Sequence, residues 1–168
     1  MTSPATTTPR GMQSRGPLDE PRLPVQAKLA AAWTTFLFLY LYVDHLALYE
    51  PGNVQDILNG IVHVFPISQT FVVTALAVLS LPIFMIVLSA ILPARANQLA
   101  NLVAASLLIP FTIFNVTGSP WVYFYGLGVV LELIVQVIIL RLAWTWPRRT
   151  ASPTAGQDAE ALGLQPQA

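Results

Sequence analysis

Residues 68–92 read SQTFVVTALAVLSLPIFMIVLSAIL, and this stretch decides the fold class because it contains no charged side chain. An α-helix needs about 20 apolar residues to cross a hydrocarbon core of about 30 Å. Lipid offers the backbone no hydrogen bonds, so the stretch predicts a membrane-spanning helix. Pro82 lies inside it. In a membrane helix a neighbouring helix can satisfy the freed carbonyl, so this proline predicts a kink and not a break.

Three more apolar stretches of similar length follow the same reasoning, and together they predict an all-α, four-helix transmembrane bundle. The flanking tails are small, polar and rich in proline, and such segments cannot bury enough apolar surface to stay ordered. We therefore expect disordered cytoplasmic tails at 1–25 and 147–168 around a membrane domain at 26–146. The predicted helices span about 28–49, 68–92, 96–116 and 121–144.

The composition agrees with a lipid-facing surface, since 55% of the residues are hydrophobic and only 10% are charged. Soluble domains carry about 25% charged residues. Eight basic and eight acidic residues cancel, which predicts no nucleic-acid partner. The chain has no cysteine and no GxxxxGK[ST], GxGxxG, GxSxG or HExxH motif. We accordingly predict no cofactor and no catalytic residue, and the sequence leans against an enzyme.

The basic residues all fall on one side of the predicted bundle. Arginine and lysine are retained on the cytoplasmic side of short membrane loops. The two base-free connections, 50–67 and 117–120, are therefore expected outside, with both termini inside. Aromatic residues at both ends of the fourth helix are typical of interfacial anchors. The basic residues are Arg10, Arg15, Arg22, Lys28, Arg95, Arg141, Arg148 and Arg149.

The longer outer connection contains PGNVQDILNGIVHVFP at residues 51–66. Val54, Ile57, Leu58 and Ile61 recur at helical spacing after a Pro-Gly turn. This pattern predicts a short amphipathic helix lying in the outer interface. An ordinary irregular loop is the alternative.

Glu132 is the most informative polar residue, because ionisable groups are costly inside a bilayer and often functional. Counted from Trp121 at about 1.5 Å per residue, it lies about 16 Å deep, near the midplane. It shares one helical face with Tyr125, Gly128 and Gln136. It is a candidate proton-carrying or substrate-binding carboxyl. The alternative, which we favour from the sequence, is a neutral acid that holds two helices together.

Tyr40 and Asp44 lie on one face of the first helix, in its outer half. By the same count Tyr40 reaches nearly the depth of Glu132, so we predict a hydrogen bond between the Tyr40 hydroxyl and the Glu132 carboxyl. The outer side also carries two histidines and further carboxylates. Their spacing matches no metal motif, and we predict no metal site.

The third helix carries Asn97, Asn101 and Asn115 on one stripe, preceded by Arg95. Buried amides hydrogen-bond across helices, so packing is the favoured interpretation. A polar inner vestibule formed by Arg95, Asn97 and Asn101 is the alternative, and these three residues are candidate binding residues.

Two segments resemble a family of small bacterial four-helix membrane proteins of unknown function. They are AKLAAAWTTFLFLYLYVDHLALYEPG at 27–52 and LSAILPARANQLANLV at 88–103. The matching features are a first helix with a tryptophan and a Tyr-x-Asp element, a Pro-Gly turn, and a short Leu-Ser to Arg-x-Asn link. The resemblance covers about 26–146 and implies a bacterial inner membrane, but it brings no activity. A remoter similarity to DoxX-like proteins rests on architecture alone.

The leading hypothesis for function is a structural or accessory membrane subunit that contacts the lipid bilayer and a partner subunit or further copies of itself. The runner-up is a small oligomeric proton-coupled carrier that uses Glu132, with Tyr40 and Asp44 along its path. A membrane enzyme that acts on lipid or quinone is a remote third.

Overall fold

The computed structural model describes residues 23–117 and 120–147. The predicted all-α bundle is confirmed, with a small β-hairpin added. The predicted tails lie almost wholly outside the described residues, as do the five arginines at 10, 15, 22, 148 and 149. Within the described ranges the elements are α1 (Val25–Ala47), α2 (Asn53–Leu58), β1 (Ile61–Val62), β2 (Phe65–Pro66), α3 (Gln69–Ile91), α4 (Ala94–Phe114) and α5 (Val122–Trp144).

The four long helices begin and end within three residues of the predicted bounds. Local chemistry accounts for the starts of α1, α3 and α4. Pro24 and Pro93 precede α1 and α4 in extended conformation. Ser68 caps α3, because its Oγ accepts a hydrogen bond of 3.1 Å from the Phe71 N–H.

All four long helices are apolar enough and long enough to cross a membrane. The helical hydrogen bonding continues past Pro82 in α3 and Pro110 in α4, so neither proline ends its helix. Long apolar side chains are exposed along the outside of the bundle, among them Phe84 and Leu107. This surface fits a small membrane protein, since such side chains favour lipid over water.

Helices α1 and α5 make the most extensive packing contacts. Helix α1 contacts α3 and α5, and α5 also contacts α4. Helices α3 and α4 pack less extensively against each other although only a two-residue link joins them. The buried core contains Leu29, Trp33, Phe36, Met85, Ala104, Ala105, Leu108, Val135 and Ile139.

The predicted amphipathic helix in the first connection is present as α2, but it is shorter than the apolar pattern indicated. Ile61, which matched the helical spacing, lies instead in β1, paired with Pro66 of β2. Gly60 ends the helical stretch at φ +80°, a conformation that favours glycine. His63 takes a left-handed φ of 59° in the hairpin turn. The hairpin was not predicted.

The two predicted outer connections lie together at one end of the bundle. The His63 Nε2 is 3.0 Å from the Thr117 carbonyl oxygen and forms a hydrogen bond with it. We call this end, formed by residues 48–68, 115–117 and 120–121, the loop end. The opposite end carries Lys28, Arg95 and Arg141 and is called the basic end.

Candidate functional site

The half of the bundle toward the basic end contains a closed hydrogen-bond network centred on Asn101. Its Oδ1 accepts from the Trp33 indole N–H at 2.7 Å and from the Ser89 hydroxyl at 3.2 Å. Its Nδ2 donates to the Asn97 backbone and side-chain oxygens at 2.9 and 2.6 Å. The Asn97 amide donates to the Ser89 carbonyl at 2.6 Å. We call these four residues the asparagine network.

This network supports the packing interpretation of the asparagine stripe. All four side chains are fully buried, and the bonds join α1, α3 and α4. Arg95 is not brought together with Asn97 and Asn101, because its position is exposed while theirs are buried. The sequence analysis missed Trp33 and Ser89 as partners. A tryptophan N–H in the middle of an apolar helix is a signal, since a buried indole usually has an acceptor.

A second polar cluster lies on the predicted face of α5. Gly128, Glu132 and Gln136 are all buried, with Glu132 only 2% exposed and Gln136 fully buried. The Gln136 Nε2 donates to the Thr112 hydroxyl at 3.0 Å, and Glu132 is in polar contact with the same threonine. We call Thr112, Glu132 and Gln136 the acid site.

The acid site is not saturated. The Glu132 Oε2 and the Gln136 Oε1 are buried and have no hydrogen-bond partner. Buried polar atoms are nearly always paired, and each exception requires an explanation. When the Glu132 carboxyl is ionised, both atoms are acceptors and the site lacks a donor, whereas a protonated carboxyl supplies one O–H donor.

Asp44 and Tyr40 border the acid site from α1. Both are close enough to Glu132 for electrostatic interaction. The predicted hydrogen bond from Tyr40 to Glu132 is absent from the described residues. The Tyr40 side chain is instead in polar contact with Asn115 at the end of α4. The sequence-based depth of Tyr40 along its own helix could not tell these two partners apart. Asp44 lies at an exposed position of α1, toward the loop end.

Gly128 allows α1 and α5 to approach closely beside the acid site. A Cβ atom on Gly128 would lie 2.8 Å from the Val43 Cγ2, closer than carbon atoms tolerate. The glycine therefore sets the spacing of the two helices that carry Tyr40, Asp44 and Glu132. Gly126, by contrast, has nothing within 4 Å of such an atom.

A hydrogen bond ties the first connection to α5 above the acid site. The Tyr125 hydroxyl donates to the Glu50 Oε2 at 3.0 Å. Tyr125 was predicted to lie on the Glu132 face, but its partner was not predicted. The described residues contain no group of three histidine or acidic side chains that could hold a metal ion.

Fold and site together define a class: a small bundle of four apolar helices. Its interior contains one polar network with complete hydrogen bonding and one buried acidic site with two unpartnered oxygen atoms. Residues 22–152 match the family of unknown function DUF6326, and the chain belongs to that family. No curated protein and no solved structure matches the chain.

Proposed function

We propose that the protein spans a membrane and acts as a small proton-coupled carrier, with Glu132 as the group that takes up and releases the proton. The observation that carries this proposal is the unpartnered Oε2 of a carboxyl that is 2% exposed. An acid kept only for packing is expected to have its hydrogen bonds complete, as Asn101 has.

Asp44 and Tyr40 are polar groups on the loop-end side of Glu132, and Asn115 is in polar contact with Tyr40. These groups offer a proton a short series of oxygen atoms between Glu132 and the loop end. No lysine or arginine lies near Glu132 to hold it permanently ionised, since those within the described residues lie at the basic end. A carboxyl in such surroundings exchanges between its neutral and ionised forms when a cation or a proton arrives. Because four helices form little lining for a path, we propose a dimer or a larger assembly.

Infrared spectroscopy of the full chain in lipid bilayers tests whether Glu132 exchanges its proton. We expect a carboxyl C=O band that disappears reversibly as the bulk pH rises and that is missing in Glu132→Gln. The matched control is Asp56→Asn, which removes an exposed carboxyl of α2 and should leave the band in place. A Glu132 band that does not respond to pH while the protein remains folded would contradict the proposal.

The proposed orientation places the loop end outside and both termini in the cytoplasm of a bacterial cell. Alkaline phosphatase is active only when exported. Fusions within 50–67 should therefore be active, and fusions at the C-terminus should be inactive. The reverse pattern would contradict the orientation while leaving the acid site unaffected.

A structural or accessory subunit is the second candidate, and the asparagine network favours it. Four mutually bonded buried side chains hold three helices in one arrangement. Under this function Glu132→Gln leaves cellular activity intact and changes only thermal stability, whereas a carrier loses uptake while the folded protein remains in the membrane.

A further inference from the structure

The outer face of α4 carries a row of exposed residues along most of its length. Leu99, Val103, Ser106, Pro110 and Ile113 are all exposed, and their spacings alternate between four and three residues. An average spacing of 3.5 residues is that of the contact seam between two helices of a left-handed coiled coil. The row lies on the side of α4 opposite its buried residues. We call these five residues the α4 seam.

Ser106 places a polar group in the middle of this apolar seam. Counted from Ala94 at about 1.5 Å per residue, it lies about 18 Å along α4, well inside a hydrocarbon core of about 30 Å. Its hydroxyl has no hydrogen bond within the described residues. The hydroxyls of Thr34, Thr35 and Ser80, by contrast, each donate to a carbonyl of their own helix. Ser106 therefore presents a donor that lipid cannot satisfy.

Pro110 adds an unsatisfied acceptor at the same place. Proline has no N–H, so the Ser106 carbonyl lacks the donor that residue 110 gives it in a regular helix. Ser106 thus directs both a hydroxyl and a carbonyl to the outside of the bundle. Thr70 and Thr74 also lack a hydrogen bond within the described part of the chain, but they lie in the first two turns of α3, near the loop end and the lipid headgroups.

The presence of a donor and an acceptor at one residue decides what can cover the seam. Acyl chains offer neither group. A second copy related by a two-fold axis along the membrane normal presents the same residue at the same depth. Each Ser106 hydroxyl can then donate to the Ser106 carbonyl of the other copy, which satisfies both donors and both acceptors. One polar residue within an apolar seam also fixes the register of the two helices.

We propose that the protein forms a parallel dimer in the membrane through the α4 seam, with reciprocal hydrogen bonds at Ser106. This surface supplies the assembly that the proposed carrier needs. It rests on the proposed membrane-spanning arrangement and is independent of proton exchange at Glu132.

Cross-linking tests which face forms the interface, and the chain suits this method because it contains no cysteine. Val103→Cys places a thiol in the α4 seam at a residue that is 48% exposed. The matched control is Ile134→Cys on α5, where the side chain is 52% exposed and lies at a similar distance from the basic end. In vesicles of phosphatidylcholine and phosphatidylglycerol, we expect oxidation to convert most of Val103→Cys into disulfide-linked dimer and little of Ile134→Cys.

Energy transfer between terminally labelled copies in the same vesicles measures the Kd of the dimer over a range of protein-to-lipid ratios. Ser106→Ala should weaken the dimer about five- to tenfold, the factor supplied by two interhelical hydrogen bonds of ordinary strength in a membrane. Thr35→Val removes an exposed hydroxyl that is bonded within its own helix, and it should leave the Kd unchanged. Pro110→Ala returns a donor to the Ser106 carbonyl, so the double variant should be no weaker than Ser106→Ala alone.

Equal cross-linking of the two cysteine variants, or a dimer that Ser106→Ala does not weaken, would overturn the assignment. A chain that floats with the vesicles but shows no energy transfer at any ratio would overturn it too, while the membrane placement stands. A chain that does not float refutes the membrane placement and the seam together. In mixed micelles with one chain per micelle, Ser106→Ala should leave the unfolding free energy unchanged, which separates association from folding.

Discussion

The asparagine network joins α1, α3 and α4, and the acid site joins α4 and α5. Both are polar and both are buried, but their hydrogen bonding differs. Every donor and acceptor of the Asn101 side chain has a partner within 3.2 Å. In the acid site two buried acceptors have none. A saturated network stabilises one arrangement of helices, whereas an unsaturated one keeps capacity for a proton or a ligand. Completeness of hydrogen bonding, and not polarity, separates the structural cluster from the candidate site.

The largest expected effect on stability is in the asparagine network. Asn101→Leu leaves the Trp33 N–H, the Ser89 hydroxyl and the Asn97 Oδ1 without their Asn101 partner in the core. We expect the free energy of unfolding to fall by about 2–4 kcal/mol. Unfolding in mixed micelles, followed by tryptophan fluorescence, measures it. Ser106→Ala, at an exposed position of the same helix, is the control and should change stability by less than about 0.5 kcal/mol. A loss below 1 kcal/mol for Asn101→Leu would remove the contrast.

The next effect concerns the helix spacing beside the acid site. Gly128→Ala places a methyl group against Val43, whose branched side chain has little rotamer freedom in a helix. We expect a loss of about 1–3 kcal/mol in unfolding free energy. Gly126→Ala meets open space and should be neutral or stabilising by up to about 1 kcal/mol. Adding Val43→Ala to Gly128→Ala should recover part of the loss. If the two glycine variants behave alike, close helix approach is not what Gly128 provides.

A smaller effect is expected where the first connection meets α5. The bond from Tyr125 to Glu50 is partly buried, so a double-mutant cycle of Tyr125→Phe and Glu50→Gln should give a coupling of about 0.5–1.5 kcal/mol. The cycle isolates this pair from other interactions of Tyr125. Tyr123→Phe, at a side chain that is 97% exposed, serves as the control and should be neutral. Zero coupling would mean that the connection does not stabilise the region above the acid site.

The smallest effect is expected at the unsaturated site itself. Gln136→Leu removes one hydrogen bond to Thr112 but also removes an unpartnered buried oxygen. These contributions oppose each other, and the Thr112 hydroxyl can bond to its own helix backbone. We expect unfolding free energy to change by less than about 1 kcal/mol in the same micelle assay. A loss as large as that of Asn101→Leu would show that both clusters are structural.

The sequence predicted which residues lie at the acid site better than it predicted their contacts. Helical periodicity placed Gly128, Glu132 and Gln136 on one buried face of α5, and all three are buried. The predicted bond from Tyr40 to Glu132 was wrong because depth along an axis says nothing about rotation or tilt between helices. Residue 61 illustrates the same limit, since its apolar spacing fitted α2 while the left-handed Gly60 ended the helix before it. The remote similarity to DoxX-like proteins stays a prediction.

The sequence by itself determined four long apolar helices, because the length of an uncharged run and the hydrogen-bonding needs of a backbone in lipid are local properties. It also determined which face of each helix carries polar side chains. Only the tertiary structure decided which of those side chains have partners. Asn101 meets Trp33 and Ser89 across three helices, while the Glu132 Oε2 and the Gln136 Oε1 have no partner. Whether two groups form a hydrogen bond depends on differences of a few tenths of an ångström in the distance between them. For segments far apart in the chain, that distance follows from the packing of the helices.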